Sequence, residues 1–260
     1  MIYNELKSEK KEERTSNSLK VICIEGVHGA GKSSIVNWFK INGFHVIDEG
    51  FMTEEVYLHP QTFVMEMTWI TTWFQRLLKI KHEADEESKR TNKYKEIVLI
   101  ADRSPFSAIF YARGGKGNLF DSCIRESMKD LETEQIEILT VKIHVEKKKL
   151  MSRIAKRLKK HPDRKNYNEH LYEWNSSIYD KYEQYKGFDL VLDNTQDLKK
   201  FDDLIEQLLT SVNCRVQKIK EIEVDSLSET TSSSESEEEE DDEQEKVADK
   251  HTTKVAIKVR

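Results

Sequence analysis

The chain is poor in the residues that punctuate or staple small folds. It has 3 Pro and 9 Gly in 260 residues, which excludes collagen-like and Pro/Gly-rich low-complexity character. Its three cysteines, Cys23, Cys123 and Cys214, are odd in number and scattered, without C-x-x-C spacing or a histidine partner motif. A disulfide framework or a zinc site is therefore not expected, and a reducing, intracellular and cytoplasmic setting fits best. No run of about eighteen apolar residues exists, so no membrane span is expected. Residues 1 to 14 are dense in Lys and Glu and no apolar stretch follows, which argues against a secretory signal.

What is abundant is charge, at 35% against 37% hydrophobic residues, too polar for one globule throughout. Its distribution is uneven. Glu221 to Glu245 holds 13 acidic residues and no Lys or Arg, while Lys246 to Arg260 is net +4 and the preceding 220 residues are net +3. The stretch from Ser226 to Glu245 is almost entirely Ser, Thr, Glu and Asp, and cannot bury enough apolar surface to offset the entropy of ordering. Residues 214–260 read as a disordered acidic tail with a short basic end, either a solvated extension or a docking arm for a basic protein partner. Residues 1–18 read as a charged extension. The remaining body, 19–213, is long enough for one domain with a real core, and its mild positive charge suits an anionic small-molecule ligand. No nucleic-acid partner is expected, and a homodimer is compatible with the pattern.

Within the body, short β-rich runs alternate with helical stripes. Strands are predicted at 20–25, 43–48, 97–101, 137–145 and 189–193. Ile97 to Ala101 has no polar alternation and so predicts burial on both faces. Phe63, Met67, Ile70, Phe74 and Leu77 recur at steps of three and four, predicting a long helix flanked by Trp69 and Trp73. Leu171, Trp174, Ile178, Tyr182 and Tyr185 predict another, and Leu198 to Val212 a closing one. The sum is an α/β fold with a parallel sheet wrapped by helices, whose ligands belong at the carboxyl ends of the strands.

The first strand runs directly into Gly26-Val27-His28-Gly29-Ala30-Gly31-Lys32-Ser33, a complete G-x-x-x-x-G-K-[ST], followed by Ser34. Glycines let successive N–H groups curl around a phosphate, Lys32 reaches the β- and γ-phosphates, and the Ser33 hydroxyl suits Mg²⁺. His28 is expected to face outward. Five further residues sit where such a site needs them. Asp102 ends the third strand, where a carboxylate would hold the metal or its waters, and Arg103 follows as an always-charged planar donor. Glu49, after the second strand, has the chemistry of a general base for an attacking hydroxyl. Arg153 and Arg157 lie four residues apart on a basic helix predicted at 147–160. Beyond its break at Pro162 runs a basic segment, a candidate lid over a triphosphate. No N-K-x-D motif marks a GTPase.

Taken together, Ile24-Glu25-Gly26, the glycine loop through Ser34, Glu49, Asp102-Arg103-Ser104, and Arg153 with Arg157 resemble the deoxynucleoside kinases and their relatives the thymidylate kinases. The resemblance covers roughly 19–213. It implies a P-loop kinase fold on a five-stranded parallel sheet, and ATP- and Mg²⁺-dependent transfer of a γ-phosphoryl group to a nucleoside or nucleotide. It assigns the 5′-hydroxyl proton to Glu49, phosphate and metal to Lys32, Ser33 and Asp102, and the lid to the two arginines. Three departures are visible: Gly50 follows Glu49 where Pro is usual, Asp102 stands where Glu is usual, and the long helix lacks the base-reading Gln. Base choice stays open, as does the choice between a nucleoside, a monophosphate and some other small-molecule acceptor. A nucleotide-binding scaffold working through its acidic tail is a further reading.

Overall fold

The computed structural model describes residues 16–49, 62–112, 116–196 and 201–212; the acidic tail expectation and Leu198 lie outside them. The described residues form β1 (Ser18–Glu25), α1 (Lys32–Ile41), β2 (His45–Ile47), α2 (Phe63–Thr91), β3 (Glu96–Asp102), α3 (Ser107–Tyr111), α4 (Asn118–Thr133), β4 (Ile136–His144), α5 (Lys147–Lys160), a 3₁₀ helix (Pro162–Tyr167), α6 (Tyr172–Gln184), β5 (Leu190–Asp193) and α7 (Phe201–Ser211). The strands make one five-stranded sheet in the order β2-β3-β1-β4-β5, with every pairing parallel. The expected α/β architecture, a parallel sheet flanked by helices with a phosphate loop after its first strand, is what the chain adopts.

β1 is central, and Val21, Ile22, Cys23 and Ile24 are all fully buried although successive side chains point to opposite faces. Both faces are therefore covered. α1 packs on β2 and β3, α4 on β4, and α7 on β5. Asn17 and Ser18, read as part of an extension, belong to the body. Asn17 is buried, donates to Asp85 Oδ1 from its backbone (2.9 Å) and its amide (2.8 Å), and accepts from Ser88 and the Lys95 N–H. These bonds pin the start of β1 to α2.

α2 starts at Phe63, with Thr62 accepting a hydrogen bond from the Met65 N–H as its N-cap. Its buried stripe is Glu66, Ile70, Trp73, Phe74, Leu77 and Lys81. The predicted stripe is correct from Ile70 onward, but Phe63 and Met67 are exposed, and a carboxylic acid occupies the buried face instead. α5 has the predicted bounds. The basic segment after it is a 3₁₀ helix with Pro162 at its start, and α3 and α4 are two helices the hydrophobic pattern did not announce.

Candidate functional site

The phosphate loop is shaped by backbone contacts that exclude side chains. Gly26 has φ 141°, and a Cβ there would lie 2.8 Å from the Ile143 carbonyl oxygen of β4. Gly31 has φ 100°, and its Cβ would meet Asn194 Nδ2 at 2.5 Å. Asn194, at the end of β5, donates from that amide to the Ala30 carbonyl (2.7 Å). The loop is thus braced by the two strands on the far side of β1 from β3. Gly29 completes the turn at φ 81°, Val27 and Ala30 are buried, and Ser33 and Ser34 are exposed in the first turn of α1. Lys32 is buried and its ammonium donates to the Val27 carbonyl (3.2 Å). Burial, and then the Arg103 charge, bring its pKa down to about 8 against the pull of Asp102, Glu49 and Glu25. A phosphate would supply the missing counter-charge.

A buried carboxylate the sequence reading passed over, Glu25 at the end of β1, organises the floor. It accepts from the Ser104 N–H (2.7 Å), the Ser104 hydroxyl (2.6 Å), the Ser107 hydroxyl (2.9 Å) and the Tyr182 hydroxyl (2.9 Å). This explains the Asp-Arg-Ser run: the serine belongs to Glu25. Arg103 is held at φ 75°, uncommon for a non-glycine residue, and its N–H bonds to the Ile24 carbonyl (3.1 Å). Its guanidinium reaches Glu49 Oε1 (2.5 Å) and lies 5.0 Å from the Tyr111 ring centre. Glu49 is fastened from the other side by α2, since Trp69 Nε1 donates to the Glu49 carbonyl (3.1 Å) and Arg76 to that of Asp48 (2.9 Å). Burial alone would raise the Glu49 pKa, but Arg103 and Lys32 outweigh it and hold it below the ordinary carboxylate value. Glu49 is therefore ionised at neutral pH.

Asp102 stands beside Lys32, whose charge acts on it. Burial nevertheless raises its pKa, and its Oδ1 is buried with no hydrogen-bond partner among the described residues. An orphaned carboxylate oxygen within reach of the Lys32 charge suits a hard cation, and Mg²⁺ is commonly held by one or two carboxylates together with substrate phosphates. Asp102 and Ser33 fit that role. Among the described residues no cluster of three or more His, Cys, Asp or Glu forms an all-protein metal cage.

Arg153 and Arg157 share a helix but not a partner. Arg153 donates to the Asn194 carbonyl (2.9 Å), at the loop's rim. Arg157 bonds to Glu169 (2.5 Å), as does Arg164 from the 3₁₀ helix (2.9 Å from Nε). Glu169, fully buried and absent from the predicted site, therefore ties α5 to the 3₁₀ helix. It also meets His28 Nδ1 at 3.2 Å. Contrary to expectation His28 turns inward: its ring packs edge-on to Tyr111, 5.3 Å between centres. Burial, then Arg103, Lys32, Arg157 and Arg164, keep its pKa well below the usual value, so the ring is neutral at neutral pH.

Next to Arg103 and Glu49 opens a cleft, continuous with solvent and lined also by His28, Glu66, Trp69 and Trp174. Its aromatic walls and its few convergent polar groups are of the kind that line small-molecule sites. Trp69 lines it, whereas Trp73 and Phe74 are core.

No family model matches the chain, and no curated protein matches it either. Solved structures with a similar fold include a deoxyadenosine kinase from M. mycoides with the products dCMP and a flexible dCDP bound, at 19% identity and a TM-score of 0.45, covering 74% of this chain and 98% of that one. They also include polyphosphate kinase 2 from Arthrobacter aurescens TC1 (14%, TM-score 0.44, 75% and 68% covered) and a gluconokinase from Sinorhizobium meliloti 1021 (16%, 0.40, 77% and 93%). No helix among the described residues is long and apolar enough to cross a membrane.

Proposed function

We propose that the chain is an ATP-dependent phosphotransferase that moves the γ-phosphoryl group to the 5′-hydroxyl of a deoxynucleoside. The observation that carries this reading is the Glu49–Arg103 pair at the junction of the phosphate loop and the aromatic cleft. A phosphate acceptor needs only positive charge, whereas a hydroxyl acceptor needs somewhere to leave its proton, and an ionised carboxylate fixed by an arginine provides that.

In this reading the loop N–H groups and Lys32 hold the terminal phosphates, and Lys32 gains its proton-stabilising partner when they arrive. Mg²⁺, when bound to Asp102 and Ser33, would neutralise charge on the phosphate oxygens. The acceptor lies in the cleft with its hydroxyl against Glu49, and Arg103 keeps that carboxylate aimed and ionised. Arg153, Arg157 and Arg164 line the lid side and stabilise charge spreading over the transferred group.

The test is ATP consumption with Mg²⁺ across nucleosides and nucleoside monophosphates, repeated with Glu49→Gln. A nucleoside kinase loses its turnover in that variant while keeping ATP affinity. Turnover with monophosphates alone, indifferent to Glu49→Gln, would instead assign a monophosphate kinase.

A further inference from the structure

Helix α5 carries a charge pattern that its own fold does not need. It holds eight Lys or Arg and no acid in 14 residues, and its first turn, where the helix dipole favours anions, is Lys147-Lys148-Lys149. Like charges recur at steps of three and four (Lys156 with Lys159 and Lys160, Arg153 with Lys149 and Arg157), which destabilises a helix left to itself. Several exposed cations elsewhere find an acid one turn away: Lys79 with Glu83, Lys89 with Glu86, Arg125 with Asp121. α5 must reach outward instead, Lys147 to Asp180 and Arg157 to Glu169. Lys148, Lys156, Lys159 and Lys160 are exposed and make no ion pair among the described residues. The buried face of the helix sits on the phosphate loop, where Ile154 Cγ1 and Leu150 Cδ1 lie 3.1 and 3.6 Å from the place of a Cβ at Gly29. The exposed lysine row is therefore about one helix diameter, roughly 10 Å, from the loop, comparable to the Debye length at moderate salt.

We propose that the acidic run Glu237 to Glu243 of this same chain docks on the exposed lysine row of α5 and screens the phosphate loop from polyphosphate ligands. Charge, length and reach select this occupant. The run is seven consecutive acids, inside a stretch, Glu221 to Glu245, with no Lys or Arg to neutralise it. Lys148 to Lys160 spans about 18 Å of helix, and seven extended residues span about 23 Å. α7, the last described helix, packs on β5, and Asn194 at the end of that strand accepts from Arg153 of α5. Glu237 lies 25 residues beyond Val212, a reach of up to about 80 Å that far exceeds the roughly 16 Å length of α7. Tethering on one chain sets an effective concentration that can reach roughly the millimolar range, so a multi-charge contact too weak between separate molecules can hold within one. The screening rests on the loop holding a nucleotide's phosphates; the docking does not depend on the reaction.

A water-soluble carbodiimide, which joins a lysine amine to an adjacent carboxylate as an amide with loss of water, tests the docking in the full chain at low ionic strength. Mass spectrometry of the digested monomer should find α5 lysines joined to the run Glu237 to Glu243. The yield should be independent of protein concentration and vanish at about 0.5 M salt, where the Debye length is only about 4 Å. The variant Lys156→Glu, Lys159→Glu, Lys160→Glu should lose these cross-links. Calorimetry with ATP tests the screening. Replacing the seven acids by Gln and Asn should raise ATP affinity about three- to tenfold at low salt, the scale of several charges roughly 10 Å away in water, and leave it unchanged at about 0.5 M. This tail variant alters no described residue, so it decides alone should the α5 variant fail to fold. Cross-links only between chains, cross-links to another face in place of α5, or measurable but equal ATP affinities at low salt overturn the inference. Cross-links on α5 with no ATP binding in any of the proteins would leave the docking standing and overturn the nucleotide reading of the loop.

Discussion

The two halves of the site are built on opposite plans. The phosphate end is made of backbone: eight contiguous residues, glycines at positive φ, and strand ends that approach too closely for a Cβ. The cleft, the proposed acceptor end, is made of side chains drawn from the end of β2, α2, the end of β3, α3, the 3₁₀ helix and α6. A backbone site tolerates few changes but recognises only what all nucleotides share. A side-chain site can be re-specified one residue at a time. Arg103 is the seam between them, since one guanidinium touches the Gly26 carbonyl of the first half and the Glu49 carboxylate of the second.

Variants sharpen or break this division. The largest effect is expected of Gly26→Ala, where a methyl would sit 2.8 Å from a backbone oxygen that cannot swing away. It should cost about 3 kcal/mol or more of stability and abolish ATP binding by calorimetry. Next, Glu49→Gln should lower kcat by about 10²- to 10⁴-fold with ATP affinity unchanged; a parallel loss of ATP affinity would mean the halves are not separable. Glu169→Ala should destabilise the fold by about 3 kcal/mol in urea unfolding, since it strands Arg157 and Arg164 without their shared carboxylate. The pH dependence of ATP binding comes next. Lys32 loses its proton near pH 8 in the free protein, so affinity should be full below pH 8 and fall by up to about tenfold per pH unit above it.

The smallest effect tests the acceptor half by stability alone. Between pH 4.5, the ordinary value, and about 8 the unfolded chain has shed the Glu66 proton while the folded chain keeps it. Folding stability attributable to this group therefore falls as pH rises through that window. Glu66→Gln should raise the melting temperature by a few degrees at pH 8 and by little at pH 4.5.

The same division governs how much could be read from the chain itself. Lys32, Ser33 and the glycines were legible because a backbone site is written in consecutive letters. The strands were legible because a sheet buried on both faces needs uninterrupted Val, Ile and Leu. Asp102, Arg103 and Glu49 followed once strand ends were known, since ligands gather there. Glu169 and Asn194 were not legible: a glutamate in a charged turn and an asparagine after a short strand look like any surface residue until tertiary packing brings them to Arg157 and Ala30. Glu66 did leave a trace, a lone acid in register with Ile70, Trp73 and Leu77 on the buried face of α2. Reading that stripe from Phe63 and Met67 placed the face one step off and hid it. His28 was misjudged because a loop position says nothing of which buried carboxylate lies across the cleft.

The close approach of Gly26 to the Ile143 carbonyl joins segments far apart in the chain. The nucleotide cradle therefore cannot assume its curvature until the strand carrying Ile143 has been made and docked, well after the glycines themselves emerge. A nascent or partly assembled chain would hold the whole phosphate-binding sequence yet have no cradle, so nucleotide affinity should appear late in refolding and serve as a direct clock for completion of the sheet.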